Sequence, residues 1–138
     1  MKKVFIPFCF VAMTAFACDA KSISVGELPA SAQVFLKEFY EDRDVSYVEL
    51  EDEEFKVGLN FGGVIEFDKH GRWLEIKDRM GIPLEVLPLL AREYLEENYR
   101  DIKVLNIEKE NQNYEVKLKN GTELLFSHDG NFIWKEKD

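Results

Sequence analysis

The sequence predicts an α+β fold in which one helix and a four-stranded antiparallel meander occur twice in tandem, within a single domain spanning residues 24–138. Three observations support this prediction: residues 28–79 match residues 87–138 at an offset of 59, a helical pattern opens each segment, and an alternating pattern follows it. A segment of about 50 residues buries too little surface to be stable alone, so we expect the copies to share one core. Two helices should then pack on one face of a continuous antiparallel sheet.

The internal match begins where Leu28-Pro29 aligns with Leu87-Pro88, and it continues to the C-terminus without a gap. Identical pairs occur at apolar, turn and glycine positions: Ala32/Ala91, Leu36/Leu95, Tyr40/Tyr99, Val57/Val116, Leu59/Leu118, Gly62/Gly121, Phe67/Phe126 and Gly71/Gly130. An ungapped match over these position types indicates a duplication.

The helix of each copy is predicted from apolar residues spaced three and four apart. In the first copy Pro29 suits the first turn of a helix, where a missing N–H costs little. The apolar stripe that follows consists of Ala32, Phe35, Leu36 and Phe39 in the first copy, and of Ala91, Tyr94 and Leu95 in the second. Each stripe should face the core.

After each helix the apolar residues alternate with polar ones, as in Phe55, Val57 and Leu59, which is typical of half-buried strands. We predict strands near residues 45–51, 55–60, 64–67 and 73–77, with counterparts 59 residues later. Asn120-Gly121 predicts a type I′ hairpin turn, because both central residues of such a turn need a positive φ. The apolar segment 80–88 should form a short helical turn between the copies.

Residues 1–20 have the layout of a secretory signal peptide, with two lysines, an apolar run from Val4 to Ala17 and small residues near a cleavage site at 17–20. The run is shorter than the roughly 20 residues that a spanning helix needs. We therefore expect a periplasmic or secreted protein. Cys18 leaves open a lipoprotein anchored to the envelope, although Ala15 stands where such signals usually carry leucine.

Charge and cysteine content exclude several classes of function. The formal net charge is −9, and loss of Lys2 and Lys3 with the signal would make it −11, which disfavours nucleic acid as a partner. Both cysteines, Cys9 and Cys18, lie in or beside the apolar signal run. The predicted domain therefore has no disulfide, thiolate zinc site or cysteine nucleophile.

A helix that opens with Leu-Pro, followed by the patterns V-x-L-x-x-G and F-D-x-x-G-x-W, resembles the PepSY-like family of small secreted Gram-negative proteins, described as β-lactamase-inhibitor-like. The residues that carry the resemblance are Leu28-Pro29, Val57, Leu59, Gly62, Phe67-Asp68, Gly71 and Trp73, and the second copy departs from them at Ser127 and Phe132. The resemblance implies a fold related to β-lactamase inhibitor proteins. It implies no catalytic residues, because the motif consists of core and turn positions.

The segment "FDKHGRW", residues 67–73, gathers four ionisable side chains around one glycine, yet it is better interpreted as a turn. Its counterpart "FSHDGNF" retains the phenylalanine, the glycine and an aromatic residue, while His70 and His128 fall out of register. A shared metal site is therefore disfavoured. Ser127 and His128 are adjacent on the chain and should point to opposite sides, which disfavours a catalytic dyad.

The acidic run Glu49–Glu54 lacks the glycine and the ligand spacing of a calcium loop, and it is expected to be a solvated hairpin turn. No glycine-rich phosphate loop joins a strand to a helix. We therefore predict no cofactor, no metal and no enzymatic activity.

Apolar groups on the open face of the sheet are the remaining candidates for a site. Leu125 replaces Glu66 and Trp134 replaces Glu75 between the copies. Period two would place Trp73, Phe132 and Trp134 on one side of their strands. The predicted partner-binding residues are Trp73, Leu125, Phe132 and Trp134. The alternative is that these side chains cover the sheet without binding anything.

These observations predict an exported, non-enzymatic binding module that holds a protein or peptide of the cell envelope on its open sheet face, as a peptidase inhibitor or regulator. The alternative is a periplasmic small-ligand carrier or sensor with a pocket between sheet and helices, which the aromatic content would support. An enzyme is the third possibility.

Overall fold

The computed structural model describes residues 20–137. Within this range two helices pack against one antiparallel sheet of nine strands, and each strand pairs with its neighbours in chain order. The elements are β1 Lys21–Ser22, α1 Ala30–Phe39, β2 Val45–Glu51, β3 Glu54–Leu59, β4 Val64–Phe67, β5 Trp73–Lys77, α2 Leu89–Asn98, β6 Val104–Glu110, β7 Asn113–Leu118, β8 Thr122–Phe126 and β9 Phe132–Lys137. The predicted α+β class is confirmed. The predicted signal peptide and Cys18 lie outside the described residues.

Both helices cover the same face of the sheet. Phe35 of α1 meets Phe67 edge-on at 5.6 Å between ring centroids, and Tyr94 of α2 meets Phe126 at 5.5 Å. Beneath them a row of directly paired aliphatic residues crosses six strands without interruption at the junction of the halves: Val57, Ile65, Ile76, Ile107, Val116 and Leu124. All six side chains are fully buried. One core therefore serves both halves.

Strand β1 was not predicted from the sequence. Its two residues, Lys21 and Ser22, pair with Leu50 and Glu49 at the first edge of the sheet. Two residues are too few to show an alternating pattern, so only the pairing reveals this strand. The segment between the halves does form the predicted short helical turn, at Leu84–Val86.

The hairpin turns differ from the prediction. Positive φ at both central residues occurs at Asp52-Glu53 and at Asn111-Gln112, the two-residue connections that follow β2 and β6. At Asn120-Gly121 only the glycine has a positive φ, of 88°, and its N–H donates to the Leu118 carbonyl. The predicted type I′ turn at this position is therefore wrong, because the loop has three residues with one left-handed glycine. The acidic run is a hairpin turn, as predicted.

A buried ion pair ties three connections of the first half together. Arg43 follows α1, and its Nη1 lies 2.6 Å from Oδ2 of Asp78, whose side chain is completely buried. Arg43 also donates from Nε to Oδ1 of Asn60 at 2.9 Å, while Oδ1 of Asp78 accepts from the Met80 amide at 2.9 Å. The guanidinium thus joins the end of α1, the β3–β4 turn and the segment after β5.

Glycines in two equivalent turns allow close contact with the helix starts. Gly71, between β4 and β5, has a φ of 80°, and a Cβ there would lie 2.9 Å from the Ala32 amide nitrogen. Gly130, between β8 and β9, has a φ of 90°, and a Cβ there would lie 2.8 Å from the Ala91 amide nitrogen. Both conformation and space therefore require glycine at these positions.

We expect Arg43→Met to lower the free energy of unfolding by about 3–5 kcal/mol, because it leaves the Asp78 carboxylate buried without its partner. Arg72→Met is the control: it removes an exposed pair with Asp68, at 2.9 Å, and should cost less than about 1 kcal/mol. Urea denaturation of both variants measures the difference. Similar losses for the two would show that the buried pair has no special role.

We expect Gly71→Ala to destabilise the protein more than Gly62→Ala. Both residues have a positive φ, which costs an alanine roughly 1–2 kcal/mol. Only at Gly71 would the new Cβ also press on backbone, since the nearest atom to a Cβ at Gly62 is 3.8 Å away. Thermal unfolding should show the lower midpoint for Gly71→Ala, and equal midpoints would contradict the close contact.

Candidate binding surfaces

The segment "FDKHGRW" is a turn stabilised by its aspartate. Oδ1 of Asp68 accepts hydrogen bonds from the amides of His70 at 2.8 Å and Arg72 at 3.0 Å. The carbonyl of His70 accepts from Oγ of Ser31 at 2.6 Å, which ties the turn to the start of α1. His70 itself is exposed. These bonds satisfy the backbone of a turn and gather no reactive groups.

The corresponding turn in the second half is built in the same way. Oγ of Ser127 accepts from the Asn131 amide at 3.1 Å, so the serine acts where Asp68 acts in the first half. Nε2 of His128 lies 3.2 Å from Oδ1 of Asp129, and both side chains are 65% exposed. Across residues 20–137, no group of three or more His, Cys, Asp or Glu side chains is placed to hold a metal ion.

The four predicted partner-binding residues fall on two different faces of the sheet. Phe67 pairs with Trp73 whereas Glu66 pairs with Glu75, so β5 has one extra residue there. The same irregularity recurs in the second half, where Phe126 pairs with Phe132 and Leu125 pairs with Trp134. A β-bulge of this kind reverses the alternation along the strand. The prediction that Trp73, Phe132 and Trp134 share one side is therefore wrong.

Trp73 belongs to the core on the helix side. Its side chain is 8% exposed and lies between Phe35, at 6.3 Å, and Tyr114, at 5.9 Å between ring centroids. Nζ of Lys109 sits 3.9 Å from the centre of the indole ring. Strands β6 and β7 thus cover the tryptophan, and a partner protein could not reach its ring.

Phe132 is on the helix side as well, but nothing in the described chain lies beyond it. It stacks on Tyr94 with ring centroids 4.6 Å apart and an angle of 6°. Since β9 is the last strand of the sheet, the outer side of Phe132 stays 40% exposed, next to Ile133 at 47%.

Leu125 and Trp134 are directly opposite each other on the open face, and both are half-buried. They end a row of paired side chains that crosses the sheet: Glu49, Lys56, Glu66, Glu75, Glu108, Glu115, Leu125 and Trp134. We call these eight residues the open-face row. Shallow clefts of about 210 and 220 Å³ lie along it.

The open-face row is acidic at its centre, where Glu66, Glu75, Glu108 and Glu115 face one another on four successive strands. Burial raises the pKa of Glu66, and the neighbouring charge of Glu75 raises it further. Glu75 is held by Asn106, which donates from Nδ2 at 3.1 Å, and by Nζ of Lys77 at 3.2 Å. The row therefore concentrates negative charge beside an apolar pair.

Lys109 is a residue that sequence analysis missed. Burial lowers its pKa to about 8, while Asp68 and Arg72 have opposing effects on it. Lys109 follows Ile107 by two positions in the same strand, so the two side chains point to the same face. Because Ile107 is buried in the core, the sequence could have shown that the lysine also points inward. At the offset of 59, Lys109 corresponds to Leu50, so the second half has a lysine where the first half has an apolar residue.

A family model described as "Putative beta-lactamase-inhibitor-like, PepSY-like" matches residues 53–134, which is more than half of the chain. The chain belongs to the PepSY-like family. This confirms the resemblance seen in the sequence. No curated protein is significantly similar to the chain. No helix in the described part of this PepSY-like protein is long and apolar enough to cross a membrane.

Solved structures from two Bacteroides species are similar along most of the chain. A "putative calcium-regulated periplasmic protein" of Bacteroides thetaiotaomicron is 35% identical, with a TM-score of 0.80 and coverage of 86% of this chain and 98% of that one. A "putative periplasmic protein" of Bacteroides vulgatus is 36% identical, with a TM-score of 0.79 and coverage of 88% and 99%. A third, also from Bacteroides vulgatus and "of unknown function", is 27% identical, with a TM-score of 0.76 and coverage of 86% and 99%.

We expect Lys109→Met to change the pH dependence of stability. Between pH values of about 8 and 10.5 the unfolded chain holds a proton on Lys109 that the folded chain has released, so this group makes stability rise with pH. Urea midpoints measured from pH 7 to 9.5 should rise less steeply in the variant than in the wild type. Parallel curves would contradict the lowered pKa.

Proposed function

We propose that this PepSY-like protein is exported to the periplasm and holds a protein partner on the open-face row, without catalysing a reaction. The single observation that carries the proposal is the direct pairing of Leu125 with Trp134 on the face that the helices leave uncovered. Tryptophan is among the residues most enriched at the energetic centres of protein interfaces. In the first half the same positions hold Glu66 and Glu75, so the apolar pair belongs to one end of the row.

The charge of the row indicates the chemistry of the partner. Like charges directly opposite each other on neighbouring strands are destabilising, and three such pairs adjoin here, from Glu66 to Glu115. Nζ of Lys77 already lies 3.2 Å from Oε1 of Glu75, and a surface rich in lysine and arginine would complement the net negative charge of the row while an apolar side chain meets Trp134. The proposed partner is therefore a basic protein surface with an apolar anchor.

Export and the absence of catalysis have separate support. The similar Bacteroides proteins are described as periplasmic, and residues 1–20 have the pattern of a signal peptide. The histidines lie in exposed turns, and the Ser127 hydroxyl caps a turn. We propose an exported peptidase or another envelope enzyme as the partner, with the protein acting as its inhibitor or regulator, in keeping with the family description.

Three elements of the first half begin and end 59 residues before their counterparts in the second half. These pairs are α1 and α2, β2 and β6, and β3 and β7. This relation supports a tandem duplication as the origin of the fold. The proposed surface arose where the copies diverged.

Two points about attachment and metal belong with this proposal. The Bacteroides thetaiotaomicron protein is described as calcium-regulated, whereas residues 20–137 here hold no group of three or more His, Cys, Asp or Glu side chains placed around a metal ion. Cys18 would be the point of lipid attachment if the protein is anchored. The mass of the mature chain distinguishes an acylated Cys18 from cleavage near residues 17–20.

We expect Leu125→Ala with Trp134→Ala to abolish capture of the partner by cross-linking in envelope extract, followed by quantitative mass spectrometry. Val34→Ala is the matched control, because Val34 is a 61% exposed apolar residue on α1. It should retain the partner. Added salt should weaken the wild-type complex, since exposed charges are screened.

Equal recovery of every protein by the wild type and the double variant would contradict the open-face row as the binding surface. If the captured protein is a peptidase, adding wild-type protein should lower its activity until the two are equimolar. The double variant should not.

A further inference from the structure

Two open-sided cavities adjoin near the start of the second half, and neither is lined by Leu125 or Trp134 of the open-face row. The larger, about 400 Å³, lies between the segment Gly81–Leu84 and the loop from Tyr99 to Val104. The smaller, about 300 Å³, lies between the same loop and the turn at Lys119-Asn120. They share Asp101, Ile102 and Lys103. The volume of the larger is within the range of small-molecule sites.

The inner surface of the larger cavity is apolar. Ile82, Leu95 and Val104 line it, and they are only 5%, 2% and 2% exposed. Leu84, Tyr99 and Ile102 also line it, and because they are only partly buried they supply the apolar surface that a ligand can reach. Such a surface favours an aliphatic or aromatic group over water.

The rim of the two cavities is cationic. Arg100, Lys103 and Lys119 line it together with a single acid, Asp101. The stem of Lys103 lies along Gly81, with its Cδ 3.5 Å from the place of a glycine Cβ. In a chain with 27 acidic and 18 basic residues, three cations around one carboxylate reverse the general sign of the surface.

The first half shows why space is open here. At the offset of 59, Ile102 corresponds to Arg43 and Lys119 corresponds to Asn60. Arg43 extends to Asn60 and to Asp78, so its guanidinium occupies this position in the first half. Ile102 is too short to do the same, and a cavity lined by Ile102 and Lys119 remains.

From this combination we infer that the two adjoining cavities bind a small anionic amphiphile, a monocarboxylate with a short apolar body. The body packs against Leu84, Tyr99 and Ile102, while the carboxylate meets Lys103 with Arg100 or Lys119. Charge-assisted hydrogen bonds of this kind are stronger than neutral ones. The site shares no residue with the open-face row, so this inference can be tested separately from the proposed partner surface.

The test is an NMR titration of the isotope-labelled protein with octanoate, in parallel with octanol and octyltrimethylammonium. Octanoate should give saturable shifts at the amides of Gly81, Ile102 and Lys103. Octanol, which lacks the charge, should bind at least about tenfold more weakly. The cation should cause no saturable shift at these amides.

Two variants locate the site. Lys103→Gln with Lys119→Gln should weaken octanoate binding by about tenfold, and Ile102→Glu should abolish it by placing a second carboxylate beside the bound one. Lys37→Gln, an exposed change on α1, is the control and should bind as the wild type does. The amide spectrum of each variant reports whether it has folded. Absence of saturable shifts, shifts confined to other residues, or equal affinity for the three probes would overturn the inference.

Discussion

The pairing of β5 with β6 holds the two halves in one sheet, and both the core and the surfaces depend on it. Three residue pairs make the connection, with Ile76 opposite Ile107 at the centre. Each half alone has about 50 residues and would bury too little apolar surface to be stable. Once joined, the aliphatic row continues from Val57 to Leu124, and the helices have one common surface to cover.

The same pairing makes the two ends of the molecule different. Trp73 at the start of β5 is covered by Lys109 and Tyr114 of the following strands, whereas Phe132 at the start of β9 has no strand beyond it within residues 20–137. Equivalent positions therefore became a core residue in one half and a partly exposed one in the other. On the opposite face the pairing brings Glu75 against Glu108, which concentrates the negative charge of the open-face row.

The two halves carry different residues at both proposed sites. The second half has Leu125 and Trp134 on the open face where the first has Glu66 and Glu75, and it has Ile102 beside a cavity near the other end of β8 where the first has Arg43. The first half retains the ion pair of Arg43 with Asp78 and supplies rigidity there.

The sequence by itself determined the fold class, both helices, eight of the nine strands in the described chain and the role of "FDKHGRW" as a turn. These features are encoded locally, because the spacing of apolar residues and the positions of glycines reflect burial and backbone conformation. It also predicted that Leu125 points to the open face, whereas the pairing of Leu125 with Trp134 came from the structure. Only the tertiary structure decided that Trp73 and Phe132 lie on the other face, because one bulged residue in β5 and in β9 reverses the alternation.

Contacts between segments that are distant in the chain could not be predicted from the sequence either. Arg43 meets Asp78 across 35 positions, Lys109 lies on Trp73, and the cavity beside Ile102 is formed by three separate segments. None of these contacts has a periodic signature, since each depends on how the strands are paired and how closely the turns approach the helices.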